Sequence, residues 1–108
     1  MMLVTLTSQD FDQALSENKL LVIEFGADWC APCNDIQRVM LSLQPDFPEF
    51  VFATVDIDKE TSLAEEFQVL SVPSIMIVKN GAVIYAESGA LSVGVFRDLL
   101  EQARHAEA

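Results

Sequence analysis

The chain reads as an α/β protein in which one central mixed sheet is flanked by helices on both faces, in the order βαβαβαββα. Three features carry that reading. Leu20-Leu21-Val22-Ile23-Glu24-Phe25 is an almost unbroken apolar run, the mark of a strand covered on both faces. Strand-like and helix-like periods alternate along the 108 residues without a linker, repeat or low-complexity stretch. Asn80-Gly81 joins two short apolar segments, the strongest local signal for a hairpin. Strands separated by helices predict parallel pairing, and the hairpin predicts an antiparallel end to the sheet. Residues 1–108 are expected to form a single domain, since the length is usual for one.

Each element has its own justification. Leu3-Val4-Thr5-Leu6 reads as a short first strand. Thr7 or Ser8 can cap a helix that carries Phe11, Ala14 and Leu15 on one face, with Asp10 and Asp12 in its first turn. The apolar run at 20–25 is the second strand. Ile36, Val39, Met40 and Leu43 recur at helical spacing and give an amphipathic helix that Pro45 and Pro48 stop. Phe50 to Val55 forms a third strand, and Glu60 to Phe67 a short helix anchored by Leu63 and Phe67. Ser74–Val78 and Ala82–Ala86 flank the Asn80-Gly81 turn. Ser92 caps a last helix buried through Phe96, Leu99, Leu100 and Ala103. Met40 and Met76 fall on buried periodicities and are core residues.

Composition excludes several functions. Slightly more than half of the residues are hydrophobic and seven are Phe, enough for one packed core. A net charge of −11 with only six Lys and Arg argues against nucleic acid and against anionic membrane surfaces, which both require clustered cations. No apolar run approaches the about 18–20 residues that span a bilayer. Met-Met-Leu-Val-Thr-Leu-Thr-Ser has no basic stretch of the kind that opens a secretory signal. A soluble, cytoplasmic protein is therefore expected. The acidity serves solubility, with steering of basic partners as the sharper reading.

Both cysteines lie in Trp29-Cys30-Ala31-Pro32-Cys33. They follow a buried strand and precede the amphipathic helix, and Pro32 suits a first helical turn, where its missing N–H is not needed. At a helix N-terminus, free N–H groups and the helix dipole favour a thiolate. Cys33 returns alongside Cys30 because residues three apart in a helix are neighbours. One sulfur should then be exposed and nucleophilic and the other sheltered. A zinc site needs about four ligands, and the chain offers two sulfurs and His105, placed in the C-terminal tail with no role. No metal is expected. Two buried core cysteines would explain neither the preceding Trp29 nor the intervening Pro32. In a cytosolic chain, such a pair reads as a redox couple.

The sequence here resembles the thioredoxin family over essentially its whole length. Trp29-Cys30-Ala31-Pro32-Cys33, Val72-Pro73-Ser74, Lys79-Asn80-Gly81 and Gly89-Ala90-Leu91-Ser92 carry the resemblance. It implies the thioredoxin fold, no bound cofactor, and a thiol–disulfide oxidoreductase that reduces protein disulfides. Cys30 would be the attacking thiol and Cys33 the resolving one. Pro73 would be a cis-proline facing the disulfide and offering backbone hydrogen bonds to an extended substrate. Read from the residues alone, Val72-Pro73 is a turn with the default trans bond. The substrate surface is expected on Trp29, Ala31, Pro32, Val72 and Pro73. Implied partners are disulfide-containing proteins and a thioredoxin reductase, a flavoprotein drawing on NADPH, and a monomer is expected. A redox-idle binding module in a larger assembly is the alternative.

Glu24 interrupts an apolar strand with no basic residue near it in sequence, so burial should raise its pKa. The resemblance places it where the family carries a buried Asp that moves a proton to and from the resolving thiol, which completes a catalytic set of Cys30, Cys33 and Glu24. Four residues depart from the family pattern. Asn34 stands where Lys or Arg commonly follows the second Cys, and Thr54 where many members have a Lys paired with the carboxylate. Arg38 replaces a helix-kinking proline, and Ala31 replaces the commoner Gly.

Overall fold

A computed structural model describes residues 2–107. Its strands are β1 (Val4–Thr5), β2 (Leu20–Gly26), β3 (Phe50–Asp56), β4 (Ser74–Lys79) and β5 (Ala82–Ser88). Its helices are α1 (Phe11–Glu17), α2 (Ala31–Leu43), α3 (Thr61–Glu66) and α4 (Val93–His105), and a 3₁₀ turn (Gln44–Asp46) follows α2. The strands form one sheet in the order β1-β3-β2-β4-β5. β1 and β2 run parallel to β3, while β4 runs antiparallel to β2 and to β5. The expected mixed sheet is what forms.

β2 lies at the centre, and every residue in it is buried. Successive strand residues face opposite sides, so its two apolar sets feed two cores. Leu20 and Val22 join Phe50, Phe52, Ile75 and Ile77 beneath α2 and α4. Leu21, Ile23 and Phe25 pack with Phe11 of α1 and Leu63 of α3 on the other side. The same alternation puts Glu24 on the α2 side. In the turn before β5, Asn80 (φ 51°) and Gly81 (φ 80°) both adopt left-handed backbone, as a two-residue hairpin loop requires.

Several details differ from expectation. α1 begins at Phe11 and its N-cap is Asp10, not Thr7 or Ser8. The Asp10 carboxylate turns back to accept from the Thr7 N–H at 2.6 Å, so a tight turn takes up the residues expected to cap. β1 is two residues long, although the Leu6 N–H still donates to the Thr54 carbonyl at 2.9 Å. α3 is shorter by one residue at each end, with Glu60 and Phe67 as its caps. His105 ends α4 rather than lying in a tail, and its side chain is exposed. The Ser92 cap forms as expected: its hydroxyl accepts from the Val95 N–H at 3.2 Å.

Candidate active site

α2 starts immediately after Cys30, which is its N-cap. The Cys30 sulfur takes the place of an N-cap acceptor, receiving the Cys33 N–H at 3.2 Å. Cys30 and Cys33 are joined as a disulfide, with Cα atoms 5.3 Å apart. Cys30 keeps 3% of its surface and Cys33 none. Cys30, expected to be exposed, is thus buried in this oxidised form, where it packs with Ala27, Cys33, Ile57 and Val72.

Val72-Pro73 is the cis peptide bond, as the resemblance implied. Val72 packs against the cysteine pair, while Pro73 is itself buried and its carbonyl accepts from the Gly89 N–H at 2.8 Å. Ala31 and Pro32 are exposed on the first turn of α2. Trp29 is 70% exposed, and its indole Nε1 donates to Asp58 at 2.9 Å. Asp35 pairs with Arg38 at 2.6 Å on the outer face of α2, so the residue at the proline position supplies a counter-charge. α2 itself runs unbroken through Arg38.

Glu24 has no solvent-accessible surface. Register places Thr54 on one side of it and Ile75 on the other, so neither neighbouring strand offers a cation at its level. Gln37, one helical turn beyond Cys33, donates its amide to Glu24 Oε1 at 3.0 Å. Oε2 has no hydrogen-bond partner among the described residues. Burial raises the Glu24 pKa to about 7, with the Asp56 charge adding to the rise and the Gln37 hydrogen bond opposing it. A cavity of about 350 Å³ opens beside the carboxyl group, lined among others by Asn34, Gln37, Thr54, Asp56 and Lys59. It is polar and roomy enough for water.

Glu24 and Cys33 converge over Gly26. A Cβ built on Gly26 would lie 2.0 Å from Glu24 Oε2 and 3.2 Å from the Cys33 sulfur. Oxygen and sulfur are therefore no farther apart than those two lengths end to end, within reach directly or through one water. Sequence reasoning found both ends of this contact and missed Gly26, Gln37, Asp56 and Asp58. Gln37 was legible as the i+4 neighbour of Cys33 on α2; Gly26 follows Glu24 by two residues on β2, Asp56 arrives through strand register and Asp58 lies in a distant loop. Among the described residues, no three His, Cys, Asp or Glu side chains gather to hold a metal ion.

The sequence model of the thioredoxin family matches residues 2–102. The chain belongs to the thioredoxin family. A protein of Streptomyces coelicolor provisionally named thioredoxin 2 is 36% identical over 101 residues, which cover 94% of this chain and 75% of that one. A thioredoxin of Geodia cydonium is 38% identical over 69% of this chain and 73% of its own length. The solved thioredoxin of Trypanosoma brucei brucei superposes with a TM-score of 0.86 at 30% identity, over 96% of this chain and 92% of that one. With the bridged CxxC pair, family membership makes this chain a protein thiol–disulfide oxidoreductase. The redox-idle alternative is not favoured. No helix among the described residues is long and apolar enough to cross a membrane.

Proposed function

We propose that the chain works as a single domain that reduces disulfides in proteins, with Cys30 attacking, Cys33 resolving and Glu24 serving as the proton partner of Cys33. The observation that carries this reading is the stacking of roles along α2: Cys30 at the N-cap, Cys33 one turn in, and Glu24 beneath Cys33. In the reduced domain, the Cys30 thiolate attacks a substrate disulfide, forms a mixed disulfide and releases one substrate thiolate. Cys33 then passes its proton to the Glu24 carboxylate and attacks the Cys30 sulfur. The mixed disulfide breaks, the second substrate thiolate leaves, and two electrons have passed to the substrate as the Cys30–Cys33 bond forms. A carboxyl with a pKa of about 7 suits this task, because proton transfer is most efficient when donor and acceptor are matched near working pH. The cavity beside it gives water a route for returning the proton.

Substrate is held by the exposed Trp29, Ala31 and Pro32 and by the backbone of the Val72-Pro73 loop. Reduction of the spent domain falls to a thioredoxin reductase, as the family implies, and the setting is a cytoplasmic electron-transfer chain that keeps thiols reduced, with the domain a monomer. Mixed-disulfide trapping tests the assignment. Cys33→Ser should accumulate covalent complexes with a model protein disulfide, while Cys30→Ser should form none. Trapping by Cys30→Ser alone would reverse the two roles.

A further inference from the structure

We propose that Gly26 is a positioning residue: its missing side chain leaves the space into which the Glu24 carboxyl folds to meet Cys33. The inference rests on Glu24 as the proton partner of Cys33 and says what places it there. Residues two apart on a strand share a face, so a glutamate can lie along the strand toward position 26. It does so here, with Oε2 2.0 Å and Cδ 3.0 Å from where a Cβ of residue 26 would stand, and the Cys33 sulfur 3.2 Å from the same point. Real Cβ contacts are not that short, so any L side chain at 26 must displace the carboxyl or the sulfur. Cys33 is tied into the first turn of α2 and the disulfide. The carboxyl is the part that can move, and the open direction is the polar cavity, which Gly26 also lines.

Conformation does not account for this glycine. The glycines with left-handed backbone among the described residues are Gly81 and Gly89. Gly26 is ordinary strand, paired with Asp56 across β3, and its carbonyl accepts from the Ile57 N–H at 2.9 Å. Glycine weakens a strand, and where it sits in one, something usually approaches closely. Here that is a carboxyl whose second oxygen lacks a hydrogen-bond partner among the described residues.

Gly26→Ala tests the idea, with resolution of a preformed mixed disulfide, Cys30 alkylation and a carbon-13 NMR titration of the Glu24 carboxyl as readouts. Resolution at neutral pH should slow by about tenfold, a part of what a placed acid or base contributes, while the alkylation rate of reduced Cys30 stays the same. The Glu24 titration should move down toward that of an ordinary glutamate and stop responding to whether Cys30 and Cys33 are bridged. Shortening the carboxyl should relieve the clash, so Glu24→Asp with Gly26→Ala should resolve roughly threefold or more faster than Gly26→Ala alone. If Gly26→Ala fails to fold, the same double variant should restore folding. Parent resolution rate and parent titration in Gly26→Ala would overturn the proposal, as would a double variant no faster or no more stable than the single one. Glu24→Gln separates the two levels. If it resolves at the parent rate, the proton-partner reading falls, and the titration in Gly26→Ala then supports the placement if it moves and overturns it if it does not.

Discussion

Glu24 and Lys79 are both buried on the α2–α4 side of the sheet, at opposite ends of the β2–β4 pair, where Leu20 rather than Glu24 stands opposite Lys79. The Lys79 ammonium donates to the carbonyls of Ala103 at 3.0 Å, Arg104 at 3.1 Å and Ala106. All three of its protons are used, and they close the carbonyl end of α4, where a cation is also favoured by the helix dipole. Among the described residues, Glu24 has one donor, Gln37, and one oxygen without a partner. A buried charge with every bond made holds a structure together. A buried group left partly unmatched changes its protonation instead, and that is the property a proton carrier needs.

The largest expected effect that would break this contrast is on stability. Folding raises the Glu24 pKa from 4.5 to about 7, so between those values the folded state holds a proton that the unfolded state has lost. The contribution of Glu24 to stability must therefore fall as pH rises across that window and level off above it, by about 3 kcal/mol in all. Glu24→Gln should remove the fall, leaving the variant more stable than the parent at pH 8 and closer to it at pH 4. Urea unfolding at a series of pH values checks this, and parallel profiles for the two proteins would mean that Glu24 is not buried unmatched.

Lys79→Met should do the reverse. Methionine replaces the apolar stem but leaves the end of α4 without its donor, so stability should drop by about 2 kcal/mol. Disulfide reduction per folded molecule should not change. A variant that lost activity while keeping its unfolding midpoint would erase the distinction between the two buried groups.

The smallest effect sharpens the comparison with charges left in water. Asp28 is exposed beside the cysteines, and at roughly 7 Å in water one such charge disfavours a thiolate by about 0.6 kcal/mol. Asp28→Asn should lower the Cys30 pKa by less than about half a unit and weaken the salt dependence of target reduction. An unchanged salt slope would assign the acidity to solubility alone.

The sequence was most legible where one segment settles its own environment. The 20–25 run has to be a central strand, Asn80-Gly81 has to turn, and a cysteine ahead of a proline and an amphipathic helix has to sit at that helix's start. Glu24 was recognisable as buried because nothing beside it in the chain could keep it wet. Its partners were not recognisable. Asp56 comes close through the β2–β3 register, and Gly26 matters only because a carboxyl two residues earlier folds over it. Lys79 was noticed in the Lys79-Asn80-Gly81 motif, but its burial depends on where α4 ends, at His105. The Thr7 or Ser8 cap failed for a local reason, since the Asp10 carboxylate bonds backward to Thr7 rather than forward into α1.

The proton-partner role of Glu24 is most directly tested by the pH dependence of mixed-disulfide resolution in the parent and in Glu24→Gln. In the proposed role, resolution needs Cys33 to lose its proton to the ionised Glu24 carboxylate, so the parent rate should rise with a midpoint near pH 7, the Glu24 value. In Glu24→Gln that step should be gone, with resolution slow at neutral pH and climbing only as Cys33 ionises unaided at alkaline pH. Superimposable profiles, with the same step in both proteins, would contradict the account.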